Sequence, residues 1–222
     1  VQLMQETGVP IRTMCLSGHR KYPLGSSDPA VEARGIEIME KAIRLAEDLG
    51  IRIIQLAGYD VYYEESTFET KKRFLANLKK AADMAAKAGV TMGFETMENE
   101  FMNTVEKAMK YVTLVGSPYL NVYPDIGNIT NAAKTYENDV LEDLELGKGH
   151  IVAMHLKETV PGKFREIPFG TGHVDFESAV TKAWELGVRK YVTEFWYTGN
   201  PEWKEDLTFA NEMFTRILNG RA

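Results

Sequence analysis

Four residues have the types and the spacing for chemistry at a divalent cation: Glu95, Asp125, His155 and Glu194. They stand in the runs GFET, YPDIGN, VAMHLKE and VTEFW, at intervals of 30, 30 and 39 residues. Each lies at or near the end of its own short β-rich run, so a repeating strand-helix unit would bring the four side chains to one rim. Three carboxylates and an imidazole form a mixed oxygen and nitrogen set suited to Zn²⁺, Mn²⁺, Co²⁺ or Mg²⁺. Without a cation, carboxylates gathered this closely would repel and raise one another's pKa. Taken singly, each residue has an ordinary explanation. A Glu or Asp at a strand end commonly caps the next helix, and a His in an apolar strand is commonly hydrogen-bonded within the core. Four ligand-type residues in the same phase of successive units favour a metal site.

The elements that must position them alternate in type. Short β-rich runs occur at Pro10–Ser17, Ile51–Ala57, Val90–Glu95, Leu120–Asp125, Ile151–Lys157 and Lys190–Trp196. Helical patterns lie between most of them. Asp28-Pro29 reads as an N-cap with Pro at the first helical position, followed by an apolar face of Ile38, Met39, Ala42, Leu45, Ala46 and Leu49 and a stop at Gly50. Ser66 and Glu69 read as a capping box before the stripe Phe74, Leu78, Ala81, Ala82 and Ala85. Asp175 caps a helix carrying Phe176, Val180 and Trp184 that closes at Gly187, and a last helix runs from about Glu202 to Asn219. This alternation predicts βαβ units and a parallel sheet, with six units in view. A doubly wound sheet needs no more than that, but no GxGxxG or P-loop stands at any strand-to-helix turn. Polar and acidic residues at the C-terminal ends of the strands favour a (β/α)₈ barrel that lacks two units.

Composition excludes several classes. The 222 residues are 44% hydrophobic and 26% charged, which supports a large core rather than disorder. A net charge of −6 and only four His argue against a nucleic-acid partner, and with it against an apurinic-site endonuclease. No apolar run reaches the length of a membrane span, and no signal-peptide pattern opens the chain. The single cysteine, Cys15, fits a reducing cytoplasm. The chain opens on Val1 rather than Met, so its natural start is expected to lie upstream.

The runs MCLSGHRKYPLGS, IIQLAGYDVYY, GFETM, YPDIGN, VAMHLKET and IPFGTGHVDFE, in this order, resemble the L-ribulose-5-phosphate 3-epimerase family. This family, also called L-xylulose-5-phosphate 3-epimerase of the ascorbate-utilisation type, sits in the xylose-isomerase-like barrel superfamily. The resemblance implies one (β/α)₈ TIM-barrel domain over residues 1–222, with six visible βα units and the first two absent, about 60 residues on barrel arithmetic. It implies that Glu95, Asp125, His155 and Glu194 hold one divalent metal, that Glu95 and Glu194 also act as acid and base, and that the protein is a homodimer. Free-ketose epimerases of the superfamily place a sugar-contacting His three residues past the metal Asp, and an Arg six past the metal His. Here those places hold Asn128 and Pro161, which fits the phosphosugar branch.

The implied chemistry is 3-epimerisation of a small phosphosugar, L-xylulose 5-phosphate to and from L-ribulose 5-phosphate, through an enediolate. Another sugar isomerase or epimerase of the superfamily and a non-catalytic barrel remnant are the alternatives. For substrate binding the chain offers His19, Asn128 and Lys157. Lys157 is the phosphate candidate, because strand alternation points it the same way as His155. Arg20, Lys21, Lys163 and Arg165 are further loop cations, and the Gly170–Gly172 run offers backbone N–H groups for an anion.

Overall fold

The computed structural model describes residues 1–220. All six expected strands are present, each shorter than its apolar run: β1 (Thr13–Cys15), β2 (Ile53–Ala57), β3 (Thr91–Glu95), β4 (Leu120–Tyr123), β5 (Met154–Leu156) and β6 (Tyr191–Thr193). The helices are α1 (Gln2–Thr7), α2 (Pro29–Leu49), α3 (Phe68–Ala88), α4 (Val105–Val115), α5 (Ile126–Tyr136), α6 (Val140–Leu146), α7 (Phe176–Glu185) and α8 (Trp203–Asn219). Helix α1, which the sequence pattern did not announce, buries no residue. No helix among the described residues is long and apolar enough to cross a membrane. The chain divides into two compact units, Val1–Glu95 with Lys107–Val122, and Thr96–Glu106 with the segment from Tyr123 onward.

The first unit is built on a sheet of order β1-β2-β3-β4, in which β2 runs parallel to both β1 and β3. Pairing of Ile53 with Thr91 through Ala57 with Glu95 sets the register, so β2 and β3 end level with one another. Residues on both faces of β2 and β3 are buried, as a parallel sheet covered by helices requires. Helix α2 starts where Asp28 accepts from the Ala30 N–H at 2.8 Å, with Pro29 at its first position, and ends at the left-handed Gly50. Its buried face uses Ile43 in place of Leu45, which is exposed. Helix α3 buries its whole expected stripe. Its capping box lies one residue later than expected, on Thr67 and Thr70, because Ser66 instead donates its hydroxyl to the buried Asp60 carboxylate.

A short 3₁₀ turn, Ser17–Arg20, follows β1 and tucks His19 against α2. The His19 ring is buried, and its Nε2 donates to the Gly35 carbonyl at 3.0 Å. Burial pushes its pKa down to about 4, against the opposing pull of the Gly35 bond.

In the second unit β5 and β6 pair in parallel. Beyond β4 the chain continues that pairing, because the His155 N–H donates to the Pro124 carbonyl at 2.9 Å and Asp125 bridges to His155. After β5, the segment up to α7 is organised by the buried carboxylate of Glu158. It accepts from the backbone N–H groups of Thr159, Gly170 and Val174 at 3.1, 3.0 and 3.2 Å. The Gly170–Gly172 run therefore does receive an anion, but from the protein itself. Gly172 packs so closely on Thr159 and Glu158 that a side chain there would collide with both. Helices α7 and α8 close over Phe169, Phe176 and Phe214, whose rings meet edge to face at 5.1 to 5.6 Å.

Two outcomes follow. Glu158→Ala leaves buried N–H groups unpaired and should cost about 3 kcal/mol in urea unfolding; a loss below about 1 kcal/mol contradicts the clamp. His19 is held neutral in the fold, with a pKa below its unfolded value. Its contribution is therefore complete above pH 6.5 and is lost as pH falls toward 4. Relative to His19→Gln, the parent chain should lose about 3 kcal/mol between pH 7 and pH 4. Parallel stability curves would contradict it.

Candidate metal centre

The centre begins with Asp125, which has no solvent exposure. It leaves β4 and caps α5, one carboxylate oxygen accepting from the Asn128 N–H at 2.8 Å. Its own N–H donates to the Thr96 hydroxyl at 2.9 Å. The ordinary reading of an acid at a strand end is thus correct for Asp125, but it uses only one oxygen. The other, Oδ2, lies 2.7 Å from Lys157 Nζ. The glycine of the YPDIGN run explains why α5 sits so close: a Cβ at Gly127 would stand 2.6 Å from the Lys157 carbonyl oxygen.

His155 stands at the middle of β5, buried, with its ring edge to face against Tyr123 at 4.8 Å. Its Nδ1 is 2.7 Å from Glu194 Oε2. Glu194 is the first residue past β6, fixed by its N–H donating to the Leu156 carbonyl at 2.9 Å. Burial acts to raise the Glu194 pKa. The His155 bond and the charge of Lys157 outweigh it and bring the carboxyl down to about 2. Asp125, His155 and Glu194 each offer one ligand atom, and these atoms lie within 4.8 Å of one another. That spacing and that donor chemistry fit one divalent cation, two carboxylates supplying charge and imidazole a nitrogen.

Glu95, in the first unit, ends β3 and is 8% exposed. Its carboxylate accepts from the Gln55 side-chain amide of the neighbouring strand. The sequence reading did not single out Gln55, although a lone amide within the apolar run IIQLAG was its signal. Asn128 is buried and donates from its side chain to the Thr96 carbonyl at 2.7 Å. Lys157 does share the direction of His155, as alternation foretold, but its ammonium is spent on Asp125 rather than held out on a loop. His19 faces α2 as described, and the Arg165 guanidinium pairs with Glu98 at 2.9 Å. His173 meets the Thr159 hydroxyl at 2.9 Å.

Comparison with known proteins gives this geometry its context. A family model described as the xylose isomerase-like TIM barrel matches residues 1–213. Over 197 residues the chain is 49% identical to the L-ribulose-5-phosphate 3-epimerase UlaE of Salmonella paratyphi C, covering 88% of this chain and 68% of that protein. The Escherichia coli O139:H28 protein of the same name is 48% identical over the same shares. Among solved structures, a D-tagatose 3-epimerase-like protein superposes with a TM-score of 0.81 at 17% identity, covering 100% of this chain and 83% of that one. An L-ribulose 3-epimerase superposes at 0.72 and 23%, covering 93% and 69%. These two establish the fold, and the curated relatives establish the branch. The chain belongs to the xylose isomerase-like TIM-barrel family and is an isomerase of its carbohydrate-epimerase branch.

Proposed function

We propose that this protein is a metal-dependent 3-epimerase that interconverts L-xylulose 5-phosphate and L-ribulose 5-phosphate. The observation that carries the reading is the set of buried Asp125 and His155 with the partly exposed Glu194, their ligand atoms within 4.8 Å of one another, in a chain close in sequence to enzymes named for L-ribulose 5-phosphate. Glu95 is assigned as the fourth ligand, on the resemblance and on its place at the end of the preceding strand unit. A bound divalent ion would supply Lewis acidity toward the ketone oxygen and so ease loss of the neighbouring proton.

The chain's own residues do the rest. The C3 hydrogen beside a C2 ketone is lost as a proton to one glutamate, leaving an enediolate. The other glutamate returns a proton from the opposite face, and the configuration inverts. Glu95 and Glu194 take these two roles, and no redox cofactor is needed. Gln55 holds Glu95 in place through its amide, and His155 does the same for Glu194 at 2.7 Å. Lys157, on Asp125, is assigned to the sugar end of the substrate, and Asn128 to the same pocket. His19 supports the 3₁₀ turn from beneath. The same reading includes one barrel domain, a homodimer and action in the cytoplasm.

The test is isotopic. Glu95→Gln and Glu194→Gln each keep an oxygen but remove a proton carrier. Epimerisation should fall by about 10²–10⁴ in both. In D₂O one variant should still exchange the C3 hydrogen of one epimer without inverting it, and the other variant that of the opposite epimer, as followed by proton NMR. Inversion at the parent rate by either variant with its metal content intact would refute the two-glutamate assignment.

A further inference from the structure

Lysine is a costly residue to bury, and Lys157 is only 4% exposed. It lies just past the end of β5, two residues beyond His155, and its Nζ stands 2.7 Å from Asp125 Oδ2. The other oxygen of Asp125, Oδ1, is committed to the start of α5, where it accepts from the Asn128 N–H at 2.8 Å. Oδ2 is therefore the atom that Asp125 has to offer a divalent cation, and an ammonium already stands on it. The same charge reaches Glu194 and helps to hold its carboxyl low. Lys157 thus does part of what a metal ion would do for these carboxylates.

The ammonium is backed by an aromatic ring. Nζ lies 5.9 Å from the ring centroid of Trp196, two residues beyond Glu194. The Arg165 guanidinium lies 5.7 Å from the same ring and is itself tied to Glu98 at 2.9 Å. An indole face attracts an ammonium, and more strongly where water is scarce. A dication taking Asp125 would meet the repulsion of this ammonium at the same carboxylate. At a buried site that repulsion is screened far less than in water.

We propose that Lys157 is a resident counter-cation of the metal centre: it steadies Asp125 and Glu194 in the metal-free chain and competes with the divalent ion for Asp125, with Trp196 positioning its ammonium. This rests on the metal reading above and adds to the place given to Lys157 at the sugar end. The consequence is a trade, in which stability of the metal-free site is gained at the expense of metal affinity.

The experiment titrates the metal-stripped full chain with Mn²⁺ by calorimetry and records its melting temperature with and without the ion. Lys157→Gln keeps a donor for Asp125 but removes the charge. It should bind Mn²⁺ at least roughly tenfold more tightly than the parent. It should also melt at a lower temperature when metal-free and gain more from the ion on melting. Lys157→Arg, which keeps the charge, should show no such gain. Trp196→Leu leaves the charges in place but removes the ring. It should bind Mn²⁺ roughly twofold to fivefold more tightly and carries the test if Lys157→Gln does not fold. Unchanged or weaker Mn²⁺ binding by the folded Lys157→Gln, or by Trp196→Leu if it stands alone, overturns the competition and leaves the metal reading intact, as does an equal gain in Lys157→Arg. A parent chain that binds no Mn²⁺ overturns both.

Discussion

The fold of the second unit is governed by the cost of burying charge. Asp125 is fully buried and Glu194 largely so, and a carboxylate taken out of water needs opposite charge or several donors close by. The protein supplies both. The α5 backbone and Thr96 fix Asp125, Lys157 stands 2.7 Å from one of its oxygens, and His155 stands 2.7 Å from Glu194. Removal of any one partner leaves a buried charge under-compensated, so these side chains are positioned as a group. A divalent cation is the most compact way to satisfy two carboxylates and an imidazole together, which links the stability of this region to the proposed chemistry.

The same economy shapes the segment after β5. A loop long enough to reach α7 carries many backbone N–H groups that need acceptors. Glu158 provides one carboxylate for three of them, and the close packing of Gly172 allows the loop to fold down onto it. Glu158 lies one residue beyond Lys157 and three beyond His155, so β5 and its exit supply a proposed ligand, a cation and a structural anion in quick succession.

Much of this was legible in the sequence. Periodicity located all six strands, and the intervals between Glu95, Asp125, His155 and Glu194 followed the strand-helix repeat, with His155 within β5 and the other three at or just past their strand ends. What the sequence did not reveal is how polar groups pair across distance. Ser66 and Thr67 are both good caps, and only the buried Asp60 decides that Ser66 is used elsewhere. Alternation gives the direction of Lys157, but not that Asp125 would be its partner. The Gly170–Gly172 run was recognisable as an anion cradle, yet whether the anion is a ligand or Glu158 depends on the fold of the loop. Gln55 carried a signal, an amide in an apolar strand, whose meaning needed the register of β2 against β3.

Buried Asp125 and His155 and the partly exposed Glu194 are proposed to hold one divalent cation between them. The most direct measurement is calorimetric titration of the metal-stripped chain with Mn²⁺ or Zn²⁺, beside Asp125→Asn and His155→Ala. The parent chain should bind one equivalent, with affinity reduced at least roughly tenfold in each variant. Binding of undiminished affinity in both variants, or no binding by the parent chain, would contradict it.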